Sequence, residues 1–258
     1  MGRGQTNFSS APFPRHEQLT GVRFLGYHRY NEMVSKVRKT ALRGMEEERN
    51  MHVLLINGSP HEKGCTYTAL SEVAGQLEKR GVTSEIFWIG NQPIRGCIDC
   101  KSCWGKGQCV FNDDPVNQCI QKIIQADGVV VGTPVYFGGI AGSLKCLLDR
   151  VFYDAKRLFF YKPAAAVVTC RRGGASTTFD ALNKYFTISA MPVVSSQYWN
   201  AVHGDKPEEV LADKEGMQTL RLVADNMAWL LNCRETSGVE PFEREVRVKT
   251  NFYKPEQV

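Results

Sequence analysis

The chain has 258 residues, of which 43% are hydrophobic, enough to support a folded core. One main α/β domain is expected at this length, and no apolar run reaches the roughly 18 residues that span a bilayer. Residues 1–50 carry nine Lys and Arg against five Glu and so hold most of the net charge of +5. The nearly neutral remainder predicts no nucleic-acid partner and no membrane partner, and we expect a soluble, cytoplasmic protein.

The first 50 residues predict an N-terminal extension, and residues 51–258 predict the main domain. Residues 1–18 are polar and contain two prolines, which favours an extended arm. An apolar residue recurs at every fourth position from Met33 to Met45, which predicts a helix over 27–48. We expect that helix to dock on the main domain or on a second subunit.

From Met51 onward, strands and helices alternate. Strands are predicted at 52–57, 83–89, 128–132, 164–169 and 192–198. Helices are predicted at 66–80, after Asp113, and at 142–152, 177–188 and 215–233. Repeated βα units require right-handed crossovers, so the pattern predicts a doubly wound parallel sheet of about five strands.

The loop from Gly58 to Thr66 follows the first strand and leads into the first helix. Backbone N–H groups at a helix N-terminus favour an anion, and Ser59 and Thr66 add hydroxyl donors. The spacing matches neither a Walker A loop nor a dinucleotide-binding fingerprint. A single monophosphate such as that of FMN therefore fits this loop, which also contains Pro60, Gly64 and Cys65.

Two further strand ends are expected at the same edge of the sheet. Residues 133–139 offer backbone for a flat cofactor, with Pro134, Val135, Tyr136, Phe137 and Gly138 beside it. The next strand runs into a turn in which Arg171 or Arg172 could stabilise negative charge on a reduced flavin, and Gly173 and Gly174 complete that turn.

Four of the nine cysteines form a C-x2-C-x2-C-x5-C run: Cys97, Cys100, Cys103 and Cys109. The first three share the spacing of bacterial ferredoxins, which indicates a [4Fe–4S] cluster. Zinc is an alternative, although its sites usually present two separated C-x2-C pairs. A third interpretation is that the four are free thiols in a loop that needs small side chains.

The order and spacing of four segments carry a resemblance to a known family. The segments are LLINGSPHEKGCT, GCIDCKSCWGKGQCVFNDD, GTPVYFGGIAGSLKCLLDR and VTCRRGG. From Met51 to about Pro255 the chain resembles the flavodoxin-like NADPH-dependent FMN reductase superfamily, and within it the iron–sulfur flavoproteins most closely.

The resemblance implies a flavodoxin-like sheet with strand order 2-1-3-4-5. It also implies that FMN is held at Ser59, Cys65 and Thr66, and that the four clustered cysteines ligate a [4Fe–4S] cluster in a homodimer or homotetramer. The chain departs from the family pattern in two places. Position 65 is Cys where many relatives carry Asn, and the basic extension has no counterpart in the shared pattern.

Three hypotheses for function follow. The first is an oxidoreductase that passes electrons from NAD(P)H through FMN to a small-molecule or protein acceptor, with a cluster taking part. The second is an FMN-only quinone or azo-compound reductase whose cysteines are structural. The third is a non-catalytic carrier or interaction protein. Flavin chemistry requires no side chain as acid or base, so we assign no catalytic residue.

Overall fold

The computed structural model describes residues 50–239, 241–242 and 244–245. The helix expected over 27–48 lies outside these residues, and the domain boundary at residue 50 stays a prediction. No helix in this described part of the chain is long and apolar enough to cross a membrane.

A parallel sheet forms the centre of the described fold. Its strands are β1 (His52–Asn57), β2 (Thr83–Trp88), β3 (Gly128–Tyr136), β5 (Ala164–Cys170) and β6 (Ala201–His203). They lie in the order β2-β1-β3-β5-β6, and the two-residue strand β4 (Gly139–Ile140) pairs antiparallel with β3. Without β4 the order is the expected 2-1-3-4-5, so the predicted flavodoxin-like topology is confirmed.

Helices cover both faces of the sheet. They are α1 (Cys65–Lys79), α2 (Val116–Gln125), α3 (Gly142–Val151), α4 (Ala175–Ile188), α5 (Pro207–Ala212) and α6 (Lys214–Ser237), with a short 3-10 helix at Ala155–Leu158. Alternate strand residues point to opposite faces. Val53 and Leu55 of β1 therefore pack with α1 and α6, whereas Leu54 and Ile56 belong to the core formed with α2, α3 and α4.

The fifth parallel strand lies later in the chain than the sequence indicated. We expected it at 192–198, but only one isolated bridge, between Val193 and Ala164, forms there. The side chain of Ser196 instead bonds locally, donating to the Tyr198 carbonyl and accepting from its N–H. Such local side-chain bonds compete with strand pairing, so regular pairing resumes only at Ala201.

Candidate functional site

The carboxyl ends of three parallel strands meet at one edge of the sheet. The N–H of Gly58, after β1, donates to the carbonyl of Gly132 in β3 at 2.9 Å. The hydroxyls of Thr66 in α1 and Thr169 in β5 share a hydrogen bond of 2.9 Å. The first helix thus begins over the ends of β3 and β5, where open α/β sheets place their ligands.

Asn57 organises the loop that follows β1. Its side-chain oxygen accepts from the N–H of Ser59 at 3.1 Å, and its amide donates to the carbonyl of Glu62 at 2.9 Å. The Ser59 oxygen in turn accepts from the N–H of His61 at 3.1 Å, which leaves the hydroxyl proton of Ser59 able to donate. Sequence reasoning missed Asn57, although a fully buried Asn that ends an apolar strand is itself a signal.

The N-terminus of α1 fits a phosphate. Its N-cap is Gly64, no side chain caps it, and its first turn contains no acidic residue. The free N–H groups and the positive end of the helix dipole therefore favour an anion. Gly58 keeps this loop close to the sheet, because a Cβ there would lie 2.4 Å from Leu144 Cδ2 and 2.9 Å from the Gly132 carbonyl.

Cys65 and Thr66 are at the start of α1, and their side chains differ in how deeply they are buried. Thr66 is 1% exposed, and its hydroxyl faces Thr169 beneath the loop. Cys65 is half-buried, and burial raises the pKa of its thiol, with a smaller contribution from Asp205. A neutral thiol at neutral pH adds no negative charge that would repel a phosphate.

The turn after β3 exposes aromatic rings on a strained backbone. Phe137 has φ of 50° and a fully exposed side chain, and Gly138 follows with φ of 72°. Tight hairpins accept positive φ at both central positions, but they usually place Asn or Gly there. A Phe in this conformation carries strain of about 1–3 kcal/mol, and such strain is frequent at ligand-binding sites. Together with Tyr136, 45% exposed, it presents ring surface that suits a flat aromatic cofactor.

The turn after β5 packs against the turn after β3. Gly174 has φ of 90°, and a Cβ on it would lie 2.8 Å from both Gly138 Cα and Val135 Cγ1. The Thr177 hydroxyl donates to the Gly138 carbonyl at 2.7 Å. Arg171 and Arg172 are both exposed, and neither forms an ion pair with another described residue. Either charge is therefore open to an anionic ligand.

The four clustered cysteines line one small cavity in the loop between β2 and α2. All four are free thiols; Cys97 and Cys100 are exposed, and Cys103 and Cys109 are half-buried. The cavity is about 20 Å³, room for about one water. The cavity also opens to solvent, and Cys97 and Cys100 are its exposed members.

The loop backbone is left-handed on both sides of Cys100, where Asp99 and Lys101 have φ of 51° and 59°. Turns that include left-handed residues form anion-binding concavities at many iron–sulfur sites. The Ser102 backbone N–H lowers the pKa of Cys100, whereas burial raises the pKa of Cys103.

The inner half of the loop is fastened by side chains from outside it. The Asp154 carboxylate accepts from the N–H of Gly107 at 3.0 Å and of Gly105 at 3.3 Å. The Asn117 side chain accepts from the N–H of Cys109 at 2.8 Å and donates to its carbonyl at 2.9 Å. Sequence reasoning did not find these supports, because they lie on other elements.

Within the described ranges, no three Cys, His, Asp or Glu side chains are grouped to hold a single metal ion. A tetrahedral zinc requires its sulfurs to converge at about 2.3 Å from one point. Four thiols around one cavity are the donor set of a [4Fe–4S] cluster, and they are equally the donor set of a four-cysteine zinc site.

Known proteins resemble this chain over most of its length. The family model described as NADPH-dependent FMN reductase matches residues 51–206. An iron–sulfur flavoprotein of Methanocaldococcus jannaschii is 31% identical over 188 residues, covering 69% of this chain and 96% of that protein. An iron–sulfur flavoprotein of Archaeoglobus fulgidus is 32% identical over 179 residues, covering 66% of this chain and 86% of that protein.

A solved structure with a similar fold is that of RosB with the bound intermediate 8-demethyl-8-formylriboflavin-5'-phosphate. It has a TM-score of 0.58 and 14% identity, and the match covers 81% of this chain and 96% of RosB. At this identity the likeness supports the fold alone. The family match spans more than half of the chain and includes the loop after β1, the ends of β3 and β5, and the cysteine loop. The chain therefore belongs to the NADPH-dependent FMN reductase family, a family of flavin-dependent oxidoreductases.

Proposed function

We propose that this protein is an NAD(P)H-dependent oxidoreductase that holds FMN at the carboxyl edge of its sheet and a [4Fe–4S] cluster in its cysteine loop. The observation that carries the cluster assignment is the convergence of four free cysteines on one cavity. The relatives named iron–sulfur flavoproteins support the same assignment.

The chain's own residues would bind and orient the FMN. The uncapped N-terminus of α1 and the free hydroxyl proton of Ser59 support binding of the phosphate there. The strained turn at Phe137 offers a ring face, and Arg171 offers a cation for the polar edge of the flavin. When bound, FMN supplies hydride and single-electron chemistry and the cluster supplies single-electron chemistry.

Replacing Ser59 with alanine tests the phosphate site. The change removes a hydroxyl donor to a charged group, an interaction worth about 1.5–3 kcal/mol. We expect the FMN dissociation constant to rise roughly tenfold to a hundredfold, measured by flavin fluorescence titration. Thr68→Ala is the control, because the Thr68 hydroxyl donates back to the Gly64 carbonyl within the helix. Equal FMN affinity in the Ser59→Ala and unaltered proteins would exclude Ser59 from the site.

An FMN-only reductase of quinones or azo compounds is the second candidate. The small cavity and the exposure of Cys97 and Cys100 favour it. Both candidates predict steady NADPH oxidation by the purified protein, and a protein that consumes neither NADPH nor NADH would contradict both. Iron and sulfide analysis separates them.

We also propose an electron acceptor and an oligomeric assembly for the enzyme. The electron acceptor would be a small molecule or a protein, and the assembly a homodimer or homotetramer. Light scattering on the full-length chain checks the assembly.

A further inference from the structure

A buried arginine supports the cysteine loop from the end of α3. The Arg150 side chain is only 2% exposed and forms an ion pair with Asp114, whose side chain is 5% exposed. Burying two charges carries a large desolvation penalty, which only close pairing and further hydrogen bonds offset. None of the hydrogen-bond partners of Arg150 lies in the segments assigned to FMN, so binding of the flavin does not account for the pair.

All three guanidinium nitrogens of Arg150 donate to residues in or beside the cysteine loop. Nε donates to Cys109 Sγ at 3.3 Å, and Nη1 donates to the Arg95 carbonyl at 3.2 Å and to the Asp114 carboxylate. Nη2 donates to the Phe111 carbonyl at 3.2 Å. One planar cation thus joins the chain before the first cysteine to the chain after the last.

The charges around Arg150 are arranged to act on a sulfur ligand. Asp114 already balances the charge of the guanidinium, so a Cys109 thiolate is a second negative partner. An N–H bond to a ligand sulfur and a nearby positive charge both favour the reduced state of an iron–sulfur group, which is the more negative one. The Asp114 carboxylate opposes that effect.

We infer that Arg150 is a positioning residue that fixes Cys109 in the cavity and raises the reduction potential of the iron–sulfur group, with Asp114 limiting the rise. This role rests on the cluster of the proposed function. Lysine could supply the charge, but its single ammonium could not keep the four directed bonds of the planar fork. Charge and geometry can therefore be separated by substitution.

The test compares three variants, Arg150→Met, Arg150→Lys and Asp114→Asn, as anaerobically purified holoproteins. Iron content is counted first, and the midpoint potential of the iron–sulfur group is then measured by redox titration with electron paramagnetic resonance detection. Lys145→Met is the matched control, since Lys145 lies on the same helix but bonds Asp149 and Tyr185.

We expect substitutions of Arg150 and of Asp114 to shift the midpoint potential of the iron–sulfur group in opposite directions. At a fixed potential, Arg150→Met should lower the ratio of reduced to oxidised group about tenfold, a shift of about 59 mV for a one-electron couple. Asp114→Asn should raise the ratio, Arg150→Lys should fall between Met and the unaltered protein, and Lys145→Met should not change it. A purely structural support would not produce shifts of opposite sign.

Three results would overturn the inference. The first is an iron-containing Arg150→Met protein with an unchanged potential, and the second is an Asp114→Asn protein whose potential does not rise. The second decides the question if the Met variant loses its iron. The third is an unaltered protein without iron, which would remove the cluster and this role together. Failure of the cluster assignment is therefore distinguishable from failure of the Arg150 role alone.

Discussion

Replacing Cys100 with alanine is expected to remove the iron from the protein while FMN stays bound. A [4Fe–4S] cluster needs four thiolates, and Cys100 is one of four free thiols around the cavity. The residues proposed to bind FMN lie outside the cysteine loop, at the ends of β1, β3 and β5, so the yellow absorbance should persist. Iron analysis and the visible spectrum of the anaerobically purified variant provide the measurement.

The control for that variant is Cys233→Ala. Cys233 is also an exposed thiol, but it lies near the end of α6, outside the cysteine loop. The Cys233→Ala protein should keep its full iron content. If the Cys100→Ala protein retained as much iron as the control, Cys100 would not be a ligand and the free-thiol interpretation would gain support.

Replacing Gly174 with alanine should weaken FMN binding at least tenfold and destabilise the fold. The residue has φ of 90°, which costs a side chain about 1–2 kcal/mol. Its new Cβ would also lie 2.8 Å from Gly138 Cα, so the turn that carries Phe137 must shift. Such overpacking typically costs another 1–3 kcal/mol. Fluorescence titration with FMN and thermal unfolding report the two effects.

Gly75 provides the control, because it lies in the second half of α1, outside the turns at the strand ends. A Cβ there would meet no atom within 4 Å, and its φ is outside the left-handed region. Gly75→Ala should therefore bind FMN as the unaltered protein does. Equal affinity in the two alanine variants would show that the contact between the turns does not shape the flavin site.

The sequence predicted those parts of the fold that depend on local pattern. The apolar runs of β1, β3 and β5 and the stripe of α1 each indicated a buried element, and all four are present. The fifth parallel strand was misplaced, because Val193 and Val194 resemble a strand but the Ser196 side chain holds the following segment in local bonds. Propensity alone does not weigh that competition.

The site shows a similar division. The four segments that hold the candidate residues were predictable, since strand ends in a parallel sheet meet at one edge, although β3 continues through Tyr136 and so includes three of those residues. The side chains that support the cysteine loop were not predictable, because Arg150 and Asp154 are distant in sequence from that loop. Arg150 contacts Cys109, and Asp154 accepts from the Gly107 N–H. The hydroxyl of Thr66 was expected to face the phosphate, yet the structure pairs it with Thr169. The sequence specifies the residue but not where its side chain points.

The most direct test of the proposed function is a joint count of FMN, iron and acid-labile sulfide in protein purified without oxygen. We expect one FMN per chain with about four iron and four sulfide. One FMN without iron would leave an FMN-only reductase. A protein that contains zinc in place of iron, or that binds no flavin, would contradict the proposal.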